Sequence, residues 1–280
     1  MAEMDRLLDA ALELSRADNN GSSEWYSQVV AALHARPVQA VFDRCVAWCA
    51  SADASERRLG ADVLGQLGGK GRAFPFRAAA IPVLTPLLSD PDLEVVDSTL
   101  VALGHLRARD AVAEVVALAE HPEAHVRHSV AFALLGDDRA LAVEAMIQLS
   151  SDDDPEVRDW ATFGLGSQID VDTEAVREAL LARADDTDED IQAEALNGLA
   201  KRKDPRVVLP LCHALSSEAV GSLVVEAARE AAAVELVPAL ESLRSWWDLD
   251  AALLEDAIAR CRGTSQRNSF NGAEFARDIA

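Results

Sequence analysis

The sequence predicts an all-α fold, a right-handed α-α superhelix of about six to seven antiparallel helical pairs. One short phrase recurs along the chain, and its first core residue is Leu59, Val95, Val126, Val157 or Ile191. The steps between these positions are 36, 31, 31 and 34 residues, a period typical of stacked helical repeats. A second series of amphipathic segments lies between the copies, and no stretch has the alternating pattern of a strand.

Each copy of the phrase has the spacing of one helix face. A small or apolar residue follows the first core residue by four positions, and a leucine follows it by eight. Apolar residues at these intervals form a single stripe along an α-helix, and the small ones allow a neighbouring helix to approach closely. The leucines at the eighth position are Leu67, Leu103, Leu134, Leu165 and Leu199.

Helix boundaries are predicted from local signals. The pairs Asp90-Pro91, His121-Pro122 and Asp154-Pro155 precede three copies and indicate helix starts, because a capping side chain and a first-turn proline are both favoured there. A glycine follows four of the helices, where it predicts a left-handed C-cap. These glycines are Gly68, Gly104, Gly136 and Gly166.

The chain divides into three predicted parts. Residues 1–50 form about three helices that cap the first hydrophobic face, as the end repeats of a solenoid must. They are expected at roughly 2–15, 22–35 and 37–50, with a break at 18–21. Residues 51–262 form the repeats of the same solenoid, and the polar tail at 263–280 is predicted to be poorly ordered.

The repeated phrase resembles the HEAT-repeat family, in particular the short bacterial HEAT-like repeats first associated with phycobilisome lyases. Val126-Arg127 and Val157-Arg158 match the family's turn best, whereas Val96 and Gln192 stand where arginine is expected. The match covers roughly residues 40–245. The resemblance implies an armadillo-like helical superhelix whose inner helices line a binding groove.

The net charge constrains the partner. The chain has 48 acidic and 26 basic residues, a formal charge of −22. A nucleic-acid-binding protein normally presents a basic stripe to phosphates, whereas this chain and DNA are both negatively charged. A local basic face stays open as an alternative, around Arg107, Arg109, Arg127 and Arg158. The electrostatic field of the acidic chain instead favours a basic protein partner.

No enzyme signature is found in the sequence. Nucleotide-binding, metalloprotease and serine-hydrolase motifs are absent, and Cys45 and Cys49 have no matching second pair that would complete a zinc site. His125 and His128 share a helical face, but an exposed turn is a better interpretation than a metal site. We therefore expect no catalytic residue, metal or cofactor. We also expect a monomer in a bacterial-type cytoplasm without a membrane span.

In HEAT-repeat proteins the helix that follows the acidic turn lines the concave groove, and the resemblance implies the same position for these helices. For Arg158 the sequence leaves a second interpretation open, in which it pairs with an aspartate of the adjacent repeat and aligns the stack. Trp160 is expected to be buried or half-buried. The predicted partner-binding residues are Arg127, His128, Arg158, Asp159, Trp160, Thr162, Glu194 and Asn197.

The whole chain also resembles bacterial HEAT-like proteins encoded beside Rhs-type toxins. The segments that carry this resemblance are 57–68, 157–166 and 194–215. It implies an immunity protein, an acidic clamp on a cognate toxin domain. Two alternatives stay open: a bilin lyase, by analogy with the phycobilisome-lyase subfamily, and a nucleic-acid-binding or DNA-repair solenoid.

Overall fold

A computed structural model describes residues 2–17, 24–35, 38–68 and 75–263. In these ranges the chain forms sixteen α-helices and no strand, so the prediction of an all-α fold is confirmed. The chain divides into two compact units, Met1–Gly164 and Leu165–Ala280. The predicted break at 18–21 and the tail after residue 263 lie outside the described residues, and the division into caps, repeats and tail stays a prediction.

Antiparallel helical pairs build the first unit. After α1 and α2, the pairs are α3 with α4, α5 with α6, α7 with α8, and α9 with α10. The second helix of each pair packs against the second helix of the next, from α4 through α10. The helices are α1 (Ala2–Ala17), α2 (Glu24–His34), α3 (Gln39–Cys49), α4 (Ala54–Gln66), α5 (Arg77–Leu84), α6 (Leu93–His105), α7 (Val112–Val116), α8 (Ala124–Ala133), α9 (Ala140–Leu149) and α10 (Pro155–Phe163).

The second unit continues the same pattern. Its pairs are α11 with α12, α13 with α14, and α15 with α16, and its second helices α12, α14 and α16 pack in succession. A π-helical turn at Gly164–Gln168 follows α10 in the chain. The helices are α11 (Glu174–Arg183), α12 (Glu189–Lys201), α13 (Val208–Ala214), α14 (Ser222–Ala231), α15 (Val237–Leu243) and α16 (Ala251–Cys261).

The apolar stripe of the repeated phrase forms the core. The five first core residues are 0% exposed, because each lies on the face of a second helix that packs against its neighbours. The leucines eight positions later are also buried. Burial of this kind is worth roughly 1.5–3 kcal/mol for each aliphatic side chain. The stripe therefore supplies much of the driving force for stacking.

Glycines have two different roles at the repeats. Gly68 and Gly136 adopt positive φ angles of 81° and 70° just after α4 and α8, as left-handed caps do. The same prediction is wrong for Gly104 and Gly166. Neither has a positive φ; a Cβ atom would lie 2.9 Å from the Phe132 ring at Gly104 and 2.6 Å from a main-chain oxygen of α12 at Gly166. These two glycines permit close packing of helices.

The predicted helix starts are correct at one of three sites. Asp154 caps α10, and its carboxylate accepts hydrogen bonds from the amides of the first turn. The pairs at 90–91 and 121–122 instead lie ahead of the true caps, Asp92 and Glu123. At both sites the first side chain of the pair accepts a hydrogen bond from the amide of the cap residue. The proline therefore belongs to the turn and not to the helix.

Candidate protein-binding surface

Arg127 aligns two successive turns of the first unit. Its guanidinium donates two parallel hydrogen bonds to Asp152, of 2.6 and 2.7 Å, and Arg57 on α4, two repeats earlier, makes the same pair of bonds to Asp90. Such bidentate pairs are strong and geometrically specific. Hydrogen bonds from Arg127 hold the pKa of the Asp152 carboxyl below its ordinary value. Arg127 thus makes the kind of stacking pair that the sequence analysis considered for Arg158.

Arg158 lies at the equivalent position of the next repeat. Its guanidinium donates to the main-chain oxygens of Asp152 at 2.9 Å and Asp153 at 3.1 Å, so it closes the turn that precedes its own helix. Asp159 follows it on α10, and both side chains are half-buried. The sequence placed both residues at a binding groove, and that assignment stays a prediction.

Five rings form a continuous row along the second helices α6, α8 and α10. We call His105, His128, Phe132, Trp160 and Phe163 the aromatic row. All five side chains are half-buried, in agreement with the expectation for Trp160. Since no ring is fully consumed by the core, the row leaves aromatic surface at the face of the first unit.

Trp160 is the centre of the row. Its ring centroid lies 5.4 Å from that of Phe132, 5.6 Å from His128 and 6.1 Å from Phe163, and each pair is nearly perpendicular. His105 extends the row from Phe132 at 5.2 Å. Edge-to-face pairs at these distances contribute about 0.5–1.5 kcal/mol beyond burial. The row is therefore held by ring contacts in one arrangement.

Gly104 explains why Phe132 lies against α6. The absence of a side chain at Gly104 leaves the space that the Phe132 ring occupies, 2.9 Å from where a Cβ would be. His105 follows directly in the chain and contacts the same ring. The close approach of α6 and α8 thus joins His105 to the rest of the row.

A cleft of about 380 Å³ opens between α2, α4 and α6, next to the row. His105 belongs to both, and Val30, Ala31, Val101 and Ala102 supply apolar wall. Among the described residues that line the cleft there is no lysine or arginine. The polar groups of the lining are Ser27, His34, Asp62, Gln66, Asp97, Ser98 and His105.

The two histidines of the cleft are biased towards the neutral form. Burial lowers the pKa of His34, and burial also lowers the pKa of His105. The Nε2 atom of His34 lies 2.9 Å from the main-chain oxygen of Asp62. Asp97 accepts a hydrogen bond from the hydroxyl of Ser129 on α8. The cleft thus combines two carboxyl side chains with two imidazoles whose pKa values burial lowers.

Two predicted groove residues lie in the packed interior, and for them the prediction is wrong. Thr162 is 0% exposed in the first unit, because it follows the core residue Ala161 on the buried side of α10. Asn197 is 4% exposed in the second unit. Its amide donates to the Ser167 hydroxyl at 3.1 Å, which in turn donates to the Glu194 carboxylate at 2.6 Å. Glu194 is thus engaged within its own unit.

The sequence analysis missed the cleft and part of the row. Phe163 stands six positions after its core residue, as Phe132 does one repeat earlier. Asp62 stands three positions after Leu59, and Asp97 two positions after Val95, the offsets that gave Trp160 and His128. Applying those offsets to the first two repeats would have found both carboxylates.

The cysteines, the metal-binding side chains and the lengths of the helices were also considered. Burial raises the pKa of Cys49 to about 12 and that of Cys45 still further, so neither thiol ionises at neutral pH. The described part of the chain holds no group of three or more His, Cys, Asp and Glu side chains able to bind a metal ion. Nor does any of its described helices have the length and apolar character needed to cross a bilayer.

Comparisons with known proteins support the repeat assignment. Residues 143–233 match the family model of HEAT repeats. Protein YibA of Escherichia coli, strains K12 and O157:H7, is 30% identical over 138 residues. This match covers 49% of the chain, and the chain spans about half the length of these curated relatives.

The structural comparison extends over most of the chain. The X-ray structure of YibA aligns with a TM-score of 0.73 at 23% identity, over 94% of this chain and 97% of that one. An engineered protein aligns with a TM-score of 0.59 at 18% identity, over 91% of this chain and 78% of that one. The fold class is that of HEAT-repeat proteins. At these identities the likeness shows the fold alone.

Proposed function

We propose that this chain is a non-enzymatic protein-binding HEAT-repeat protein that uses the aromatic row of the first unit as its contact surface. The observation that carries the proposal is Trp160, a half-buried tryptophan surrounded by three rings on the second helices. Tryptophan is one of the residue types enriched at interface hot spots, which lie in well-packed surroundings. HEAT repeats, moreover, form extended surfaces suited to macromolecular partners.

The partner we propose is a basic protein. The chain's formal charge of −22 would attract a cation-rich surface and repel nucleic-acid phosphates. The cleft beside the row adds carboxylates of Asp62 and Asp97 to the same face. Aromatic rings bordered by carboxylates suit a surface that carries arginine and lysine side chains.

The narrower form of this proposal is toxin immunity in the cytoplasm. It rests on the resemblance to bacterial HEAT-like proteins encoded beside Rhs-type toxins, and on the acidic charge that a clamp on a basic toxin domain would use. The partner would then be the product of a neighbouring gene, bound by a monomer of this chain.

The test measures binding of basic protein domains encoded beside the gene. We expect Trp160→Ala to weaken binding by roughly 10- to 100-fold, the loss of a hot-spot residue. Trp246→Ala is the matched control, since that tryptophan is 47% exposed and lies in the second unit. Circular dichroism checks that both variants fold.

Two results would overturn the proposal. One is that the Trp160→Ala and Trp246→Ala variants bind every basic domain tested with equal affinity. The other is tight, salt-sensitive retention of duplex DNA, which would favour the nucleic-acid alternative. Association with a basic domain should itself slow as salt rises, because charge steering is screened within about 8 Å at 0.15 M ionic strength.

A further inference from the structure

The aromatic row crosses three successive second helices, with His105 on α6, Phe132 on α8, and Trp160 and Phe163 on α10. We propose that the row is a docking site for one α-helix of the partner, apolar on the face that meets the rings and basic along one flank. This inference rests on the proposed function, because it names the element by which the partner is held. It commits to an α-helix and not to an extended or polyproline segment.

The spacing of the rings is the first argument. Successive ring centroids from His105 to Phe163 lie 5.2, 5.4 and 6.1 Å apart. One turn of an α-helix advances about 5.4 Å, so side chains on one of its faces recur at nearly the same interval. Same-face residues of a strand are about 6.7 Å apart, and a polyproline helix advances about 9 Å per turn. Both therefore lose register with the rings within a few steps.

The relief of the row is the second argument. Neighbouring ring planes meet at 75°, 72° and 87° along the same path, so ring edges alternate with ring faces. All of the rings are half-buried, which leaves the notches between them at the surface. A notch between two rings can receive one apolar side chain, as the grooves of one helix receive the ridges of another. Helices that dock in this way use apolar residues at i, i+4 and i+7.

The charge beside the row determines the basic flank. Glu123 and Glu156 are exposed at the starts of α8 and α10, and Glu156 lies one turn before Trp160 on the same helix face. The arginines of these turns, Arg127 and Arg158, donate hydrogen bonds to acceptors in the turns themselves. Carboxylates therefore border the row at the helix starts, where lysine and arginine side chains of a docked helix would find opposite charge.

The other edge of the row carries balanced charge. In the segments that follow α6 and α8, Arg109 lies 3.7 Å from Asp138. Arg139 donates a hydrogen bond to Asp137, and Arg107 is exposed. A second basic flank would have no excess of carboxylates to meet there. The partner helix is accordingly basic on one side only.

The experiment uses the full chain and three labelled synthetic peptides of about 15 residues, enough for four helical turns. The first has leucines at helical spacing and lysines along one flank. The second has the same composition with leucines at alternate positions, and the third replaces the lysines of the first by glutamates. Fluorescence anisotropy measures affinity, and carbon-13 chemical shifts of the peptide report its helix content. We expect the first peptide to become helical and saturate at micromolar concentrations, and the others to bind roughly tenfold more weakly or worse.

Tryptophan variants locate the bound peptide. Trp160→Ala should weaken binding of the first peptide by roughly tenfold or more, because its side chain is the centre of the row. Trp246→Ala, in the second unit, should leave the affinity within about twofold. Equal affinities of these two variants would place the peptide outside the row and overturn the inference.

Charge variants test the flank without touching the rings. Glu123→Gln, Glu156→Gln changes two exposed side chains and should weaken the first peptide by roughly three- to tenfold. The matched control is Glu189→Gln, Glu218→Gln, which removes the same charge from exposed positions of the second unit. Its affinity should stay within about twofold of the unchanged chain. Equal losses in both double variants would contradict a basic flank at the helix starts.

The outcomes separate this inference from the proposed function. Equal binding of the alternating peptide, a bound first peptide without helix, or no saturation at millimolar concentration would overturn the helix site. If basic domains encoded beside the gene were still captured through Trp160, the proposed function would stand. Trp160-dependent binding of the helical peptide, together with Trp160-independent capture of every domain, would keep the helix site and overturn the proposed partner.

Discussion

Equivalent positions of the repeat have opposite roles in the two units. In the first unit, Phe132 and Trp160 meet edge to face and remain half-buried. In the second, Glu194 and Asn197 stand at corresponding offsets from Ile191 and are joined by hydrogen bonds through Ser167. The contacting rings keep part of their surface exposed, whereas Asn197, held by its hydrogen bond, is 4% exposed. The same offset in the repeat thus holds a partly exposed ring in one unit and a buried amide in the other.

Half-buried and buried arginines are held in different ways. In the first unit, Arg57 and Arg127 pair with carboxylates of the following turn. In the second, Arg202 is 8% exposed and donates to the main-chain oxygens of Leu165, Ile169 and Val171, and also of Gly198 on its own helix. A single side chain therefore fixes the segment that leads into the second unit's first helix.

The largest expected effect is the loss of this arginine. Arg202→Leu removes the donors of several buried carbonyl groups and should lower the free energy of unfolding by about 3–4 kcal/mol. Urea titration followed by tryptophan fluorescence measures it, since Trp247 is buried in the same unit. Arg260→Leu, at an exposed pair with Asp256, should cost less than about 1 kcal/mol. Equal costs would contradict the anchoring role.

The second-largest loss of stability is expected from a side chain placed at Gly104, where the Phe132 ring of the aromatic row packs. Gly104→Val places a side chain where the Phe132 ring and the Ala133 backbone already lie, at 2.9 and 3.0 Å from the first added carbon. We expect a loss of about 1–3 kcal/mol and a changed near-ultraviolet dichroism. Gly221→Ser is the control: apart from its chain neighbours, no residue has an atom within 4 Å of the added carbon, and serine suits a helix N-cap. An unchanged aromatic signal in the valine variant would show that the row does not depend on this approach.

Breaking the stacking pair should have a smaller effect. Arg127→Gln leaves the mostly buried Asp152 with a weaker partner, and we expect a loss of about 1–2 kcal/mol in the free energy of unfolding. Binding of the basic partner should stay within a few-fold once folding is allowed for. A large loss of binding without loss of stability would instead place Arg127 in the interface, as the sequence predicted.

The smallest effect concerns pH. His34 and His105 have lowered pKa values in the folded protein, so the unfolded chain binds protons first as pH falls. Their contribution to stability is complete above the ordinary pKa of 6.5 and is lost as pH falls towards the folded values. The urea midpoint should therefore decline between about pH 7 and about pH 5, before most carboxylates titrate. His34→Gln, His105→Gln should flatten this decline; an unchanged slope would exclude these residues as its source.

Helix phase could be predicted from the sequence because it is a local property. The first core residues and the leucines eight positions later follow the 3.6-residue turn of a single helix, so their spacing alone assigns the buried face. For the same reason the order and approximate bounds of the N-terminal helices agree with α1, α2 and α3. The predictions of left-handed caps were wrong at Gly104 and Gly166, because glycine is required there by the close approach of a neighbouring helix.

The sequence by itself determined the fold class, the buried stripe and the acidic charge of this protein. Only the tertiary structure decided which groove positions are open: it buried Thr162 and Asn197, paired Arg127 with Asp152, and left Trp160 half-buried among three rings. The physical reason is the range of the interactions. Periodicity acts within one helix, whereas a ring contact, a hydrogen-bond chain or a bidentate pair joins residues about one repeat apart, and its formation depends on how closely two backbones approach.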